Sequence, residues 1–228
     1  MSTRALIDRL HDLHAINLSR ADAHLLCGAV GIGRIKRLTL SDRDVVDDAA
    51  LEALANNPAA SRLETFTAGP TEHVTHLGLA HLASSPHLGQ LLSLRFDGTP
   101  FDDRAPQALA QASGLGRLRR IELCGTEITD AGIAALARTT ALPSLLDVAI
   151  KSPHLTVAAW EALVKEAPLA VARSFLASQS LAGSTVDMTP NQGLRGYAKH
   201  VGLKASSRLQ RRELVEAILS HARGGLGN

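Results

Sequence analysis

Ten histidines and two cysteines are the groups in this 228-residue chain best suited to metal or nucleophilic chemistry. His73, His76, His81 and His87 fall close together, at spacings of 3, 5 and 6 residues. Those spacings match no metal-ligand motif with a cysteine or carboxylate companion, so they read as surface or partly buried structural side chains. His11, His14 and His24 read the same way. Cys27 and Cys124 lie far apart, and neither sits in a signature of an activated thiol. They read as reduced thiols and place the protein in the cytoplasm. Gly28-x-x-Gly31-x-Gly33 has the wrong spacing for a dinucleotide fingerprint and reads as the turn into a strand. No Walker lysine follows a glycine run, and there is no Gly-x-Ser-x-Gly elbow. The expectation is a protein that is not an enzyme and takes no cofactor or metal.

Charge is the chemistry that remains. The whole chain balances 24 Lys and Arg against 22 Asp and Glu, which implies no global field for a polyanion. The balance is uneven along the chain. Residues 168–228 hold eight basic side chains (Arg173, Arg195, Lys199, Lys204, Arg208, Arg211, Arg212, Arg223) and three acidic ones (Asp187, Glu213, Glu216), leaving the rest net acidic. Basic side chains beside helix N-termini suit phosphates. The competing reading is a solvated surface, or one that pairs with the acidic body. Only 4 Phe, 1 Trp and 1 Tyr are present, which argues against a base-stacking platform and an aromatic-lined ligand box. The opening MSTRALIDRLHDLH has no apolar core of a signal peptide. Leu169 to Gly183 is interrupted by Arg173 and Gln179 and is too short to span a bilayer, so no membrane association is expected.

The elements that position these charges repeat. IKRLTL (35–40), LETFTA (63–68), LLSLRF (91–96), LRRIEL (118–123) and LLDVAI (145–150) share the form apolar-x-x-apolar-x-apolar. Their central residues Leu38, Phe66, Leu94, Ile121 and Val148 are spaced 28, 28, 27 and 27. Leu54, Leu82, Leu109, Leu136 and Leu163 keep the same beat, and the first four are each followed by alanine. Within each unit, period-2 alternation reads as a half-buried strand. Turn residues follow, as in Asp97-Gly98-Thr99 and Cys124-Gly125-Thr126, and then apolar residues at helical spacing. A unit of this kind cannot bury its own apolar face; stacked neighbours bury it together.

LRRIELCGTEITDAGIAALA, residues 118–137, resembles a leucine-rich repeat of the ribonuclease-inhibitor-like class, and the resemblance covers about residues 34–165. The family's usual asparagine after the strand is replaced here by Arg43, Thr71, Thr99, Thr126 and Pro153. The resemblance implies an α/β solenoid of about five strand-helix repeats with parallel strands over 34–167. Its concave face would bind an unidentified protein partner through Arg37, Thr39, Thr65, Thr67, Ser93, Arg95, Arg120, Glu122, Asp147 and Lys151. Arg37, Arg95 and Arg120 recur at similar places; they either grip an anion or pair with Asp97 and Glu122 on neighbouring rungs. Residues 1–33, with SRADAHLLCGAVG, read as a helical N-terminal cap. The alternative is that LHAINL (13–18) is an eroded extra repeat.

After Pro168 the period stops. Residues 168–183 read as a capping helix and 184–192 as a linker. Residues 193–223 form a small all-α module in which Ser206 or Ser207 caps the second helix. Leu194, Ala198, Gly202-Leu203, Arg212, Glu213-Leu214 and Ile218 resemble the SAP and Rho N-terminal family of helix-extended-loop-helix modules. That resemblance implies contact with the backbone of DNA or RNA through Lys199, Lys204, Arg208, Arg211 and Arg212. The functional expectation is a monomeric, non-catalytic scaffold that binds a protein through the solenoid and nucleic acid through its tail. The alternative is a pure protein-interaction module.

Overall fold

The computed structural model describes residues 11–178, 193–203 and 208–224. Six short strands form one parallel sheet in sequence order: β1 (Asp12–Ala15), β2 (Arg37–Leu40), β3 (Thr65–Ala68), β4 (Ser93–Asp97), β5 (Arg120–Cys124) and β6 (Asp147–Lys151). Helices alternate with them: α1 (Arg20–Gly28), α2 (Asp48–Ala55), α3 (His76–Ser84), α4 (Arg104–Ala110), α5 (Asp130–Arg138) and α6 (Val157–Glu166). Three further helices follow, α7 (Leu169–Ser178), α8 (Gly193–His200) and α9 (Arg211–Ala222). The protein is therefore an α/β chain of six parallel strands alternating with helices, with additional C-terminal helices. No helix among the described residues is long and apolar enough to cross a membrane.

The two apolar landmarks meet in the core. Leu38, Phe66, Leu94, Ile121 and Val148 are direct register partners across the sheet, and all are buried. Leu54, Leu82, Leu109, Leu136 and Leu163 are buried on the helices behind them. Burying one such leucine is worth about 2 kcal/mol, and each rung supplies its neighbour's wall. The core is almost wholly aliphatic. Its rings gather locally, with Phe96 edge-on to both Phe66 and Phe101 at centroid distances of 5.9 and 5.2 Å.

Two polar ladders hold consecutive helices in step. At the helix starts, Asp48 Oδ1 accepts from the Thr75 and Gly78 backbone N–H groups (2.8 and 3.0 Å), and Thr75 Oγ1 donates to Asp48 Oδ2. Asp103 repeats this on Thr129 and Gly132 at 2.7 and 3.1 Å. The glycine permits the approach: a Cβ at Gly132 would meet Asp103 Oδ1 at 2.6 Å. Asp130 makes two such bonds to Thr156, in the helix where Ala159 stands in the glycine's place. At the helix ends, Asn57, Ser85 and Thr139 donate to the carbonyls of Cys27, Ala55 and Ala110 one repeat back. These bonds satisfy groups that a helix terminus otherwise leaves open.

The N-terminal region matches the helical cap expected over 1–33 only in part. Residues 12–15 form a strand paired to β2, with Leu13 opposite Leu38. Only α1 and a 3-10 turn at Val30–Arg34 are helical among the described residues there; residues 1–10 lie outside them. The sheet has six strands rather than about five. The alternative of an extra repeat at 13–18 anticipated the strand but not its register, because Leu13 rather than Ile16 takes the core position. Ile16 is exposed. The spacing from Leu13 to Leu38 is 25 residues, shorter than the later beat, so periodicity alone could not reveal it.

Candidate functional site

Alternation along each strand leaves one set of side chains out of the core. The register aligns them into rows. Asp12, Arg37, Thr65, Ser93, Arg120 and Asp147 form one row, and His14, Thr39, Thr67, Arg95, Glu122 and Ala149 form the next. Asp97, Cys124 and Lys151 continue the face at its wider end. All these side chains are at least partly exposed, whereas their neighbours in the strands are buried in β2 to β6 and partly buried in β1. The ten residues expected on the sheet's binding face thus share one open surface.

The arginines on this face are paired. Arg37 pairs with Asp12, a partner supplied by the unexpected first strand. Arg95 donates to both oxygens of Asp97 (2.9 and 3.2 Å) and to Glu122 at 3.2 Å. Arg120 donates to Asp147 at 2.7 Å rather than to Asp97 or Glu122. Lys36 adds a pair with Glu64 at 2.7 Å, and the hydrogen bond from Lys36 holds the Glu64 carboxyl below its ordinary range. The pairing with acids on neighbouring rungs expected from sequence is therefore present, with Asp12 and Asp147 as two of the partners. The result is a surface on which each arginine lies beside a carboxylate.

One group of three possible metal ligands gathers among the described residues. The Asp97 and Glu122 carboxylates and the Cys124 thiol have ligand atoms within 4.8 Å of one another. Sequence reading did not foresee it, because the three residues come from two strands. Arg95 already engages both carboxylates, and burial is the main cause that pushes the Cys124 thiol pKa up, favouring the protonated form. This donor set fits an ion-pair knot better than a metal seat. His73, His76, His81 and His87 do not gather: His76 and His81 lie on α3, and the other two lie in flanking loops. His76 Nδ1 is buried with no hydrogen-bond partner among the described residues.

The C-terminal helices dock on the last repeat. The α7 helix packs against β6 and α6, and α9 packs against α7, α8 and α6. Trp160 of α6 lies 5.2 Å from Tyr197 of α8, centroid to centroid, and burial pushes the Tyr197 hydroxyl pKa up. Arg223 Nε and Nη2 donate to the Val164 and Ala167 carbonyls at 2.8 and 2.6 Å, closing the C-terminal end of α6 where a cation is favoured. Arg211 donates to the Ala177 carbonyl at 2.8 Å, and Arg173 pairs with Glu216 through two hydrogen bonds.

This docking divides the basic residues. Arg173, Arg211 and Arg223 take part in it, while Lys199, Arg208 and Arg212 point to solvent as exposed side chains. Arg208, Arg211 and Arg212 cluster at the start of α9, whereas Lys199 sits in the last turn of α8. Lys204 lies outside the described residues, as do Ser206 and Ser207. The residue that caps α9 is Gln210, in a reciprocal box with Glu213. Arg173 and Arg223, counted in the sequence only as charges, are structural contacts that spacing could not assign. No protein-family model matches the chain, and no curated protein matches it.

Proposed function

We propose that this chain is a non-catalytic leucine-rich-repeat scaffold that presents its open sheet face to a protein partner and its basic C-terminal helices to a nucleic-acid backbone. On this reading the repeats run from β1 through α6, and α7 caps them. The helices α8 and α9 form a docked module like those of the SAP and Rho N-terminal family. The observation that carries the proposal is the open face itself: three rows of mostly polar side chains on one sheet, each arginine paired with a carboxylate, with no ring or apolar patch at their centre. Such a face favours a partner chosen by charge complementarity. The exposed Lys199, Arg208 and Arg212 supply the second surface, a sequence-independent attraction for phosphates.

The use of Arg173, Arg211 and Arg223 in docking favours a second reading, in which the C-terminal helices complete the fold and bind no nucleic acid. Binding to duplex DNA across a salt series separates the two. The proposal expects affinity that falls as salt rises from about 50 to 200 mM, and a shallower slope in the Lys199→Gln, Arg208→Gln, Arg212→Gln triple variant. Absence of binding by the wild-type protein at the lowest salt supports the second reading.

A further inference from the structure

A concavity lined mainly by arginines lies where α7 meets α9. It has a volume of about 660 Å³ and is lined by Arg173, Ala177, Arg211, Arg212, Val215 and Glu216. That volume falls within the usual range for small-ligand sites, roughly 300–1,000 Å³. Val215 is buried at its floor. Three guanidinium groups and one carboxylate reach it from two helices that are distant in sequence. The helix terminus contributes little here, because Gln210 and Glu213 already close the first turn of α9. The charge is that of the arginines.

Glu216 is the revealing member. Its two carboxylate oxygens accept from Arg173 Nε and Nη2 at 2.7 and 3.2 Å. This is the fork geometry with which a guanidinium takes any planar or tetrahedral oxyanion. Arg212 stands one helical turn before Glu216 on α9, and Arg211 is anchored beside it by the Ala177 carbonyl. An internal carboxylate thus holds the place of an anion at Arg173, in a site that two further arginines also line.

We propose that this concavity is a phosphate-binding site, in which Arg173, Arg211 and Arg212 take one backbone phosphate of a nucleic acid and Glu216 is the carboxylate that the phosphate displaces. The choice of a backbone phosphate rests on the nucleic-acid contact proposed above. The participation of Arg173 does not follow from it, since that residue belongs to α7, outside the 193–223 module. An incoming phosphate exchanges one anion for another at Arg173 and gains Arg212, while Glu216 turns to solvent. Glu216 therefore opposes binding and Arg173 supports it, although the two residues form a single ion pair.

The opposed signs make the test. Binding of about 20-base-pair DNA and RNA duplexes, and separately of inorganic pyrophosphate, is measured by the wild-type chain, Arg173→Ala and Glu216→Gln. Arg173→Ala is expected to weaken duplex binding about three- to tenfold and to lower the salt slope by about 1. Glu216→Gln is expected to strengthen it by a similar factor. Duplex binding that both variants weaken together, as loss of a merely structural ion pair would, overturns the site while leaving the nucleic-acid reading intact. So does duplex binding that neither variant changes. Pyrophosphate binding with the same opposed signs, but no duplex binding, supports the phosphate site with a free phosphate ester as its ligand and overturns the nucleic-acid reading. Binding of neither probe overturns both.

Discussion

Replacing Asp103 by alanine tests the ladder that keeps the helices in step. Its carboxylate accepts from the Thr129 and Gly132 backbone N–H groups at 2.7 and 3.1 Å and from Thr129 Oγ1 at 2.6 Å. Asp103 makes no side-chain cap bond to its own helix α4, so the cost falls on the seam between α4 and α5. Losing a capping oxygen costs about 1 kcal/mol. A second charge-assisted bond to a half-exposed N–H adds a comparable amount. The sum is about 2 kcal/mol, and for a chain of this size it lowers the melting temperature by about 4–8 °C. Urea and thermal unfolding followed by far-UV circular dichroism give both numbers. Asp103→Asn, which keeps an acceptor without the charge, falls between alanine and wild type. Glu166→Gln, which breaks only an exposed pair with Arg138, leaves the midpoint unchanged. A loss below about 0.5 kcal/mol for Asp103→Ala would refute the clamp as a source of stability.

The other perturbations probe burial and docking. Burial, aided by the negative charge of Asp47, pushes the Cys27 thiol pKa up to about 12, and Cys124 is only half-buried. Iodoacetamide at about pH 8 should therefore label Cys124 slowly and Cys27 only on unfolding; rapid labelling of both contradicts the packing. Arg223→Ala removes two hydrogen bonds to the end of α6. Amide exchange in α9 should speed up by about tenfold, and unchanged exchange would place the docking elsewhere. Hydrogen bonds from Arg173 hold the Glu216 carboxyl below its ordinary value of 4.5. A depressed carboxyl pKa adds stability above that ordinary value, and the added stability is lost as pH falls through the folded value. The fluorescence of Trp160, beside Tyr197, should report loosening of the C-terminal helices below about pH 4.5, with no such step in Arg173→Ala.

How much was legible in the sequence depended on what each residue does in the lattice. The apolar positions from Leu38 to Val148 had to recur because stacked rungs reuse one slot, and the structure places them as direct neighbours. The polar ladder keeps the same beat at Asp48, Asp103 and Asp130, but His76 interrupts it. One missing rung was enough to hide it beside the unbroken apolar pattern. At the slot five residues after the central strand residue, Thr71 and Thr126 are buried and donate to a neighbouring carbonyl, whereas Thr99 is buried with no partner for its hydroxyl among the described residues. In the last repeat the buried slot is Ser152 rather than Pro153, because β6 lacks the extra glycine turn seen at Gly98 and Gly125, where φ is positive. The partners of Arg37 and Arg120 were missed for a different reason. Asp12 lies on a strand the period does not reach, and Asp147 was known only as a face residue. Arg173 and Arg223 act across 43 or more residues of sequence, and no local spacing encodes such contacts.

The central claim is that one chain carries two separable binding surfaces. Affinity capture from cell extract tests it most directly, with protein and nucleic acid quantified for three forms of the chain. The forms are the wild type, the sheet-face variant Arg120→Glu with Lys151→Glu, and the tail variant Lys199→Gln with Arg208→Gln and Arg212→Gln. The account predicts that the face variant loses a specific protein and keeps nucleic acid, and that the tail variant does the reverse. Loss of both by either variant, or of neither by both, would contradict it.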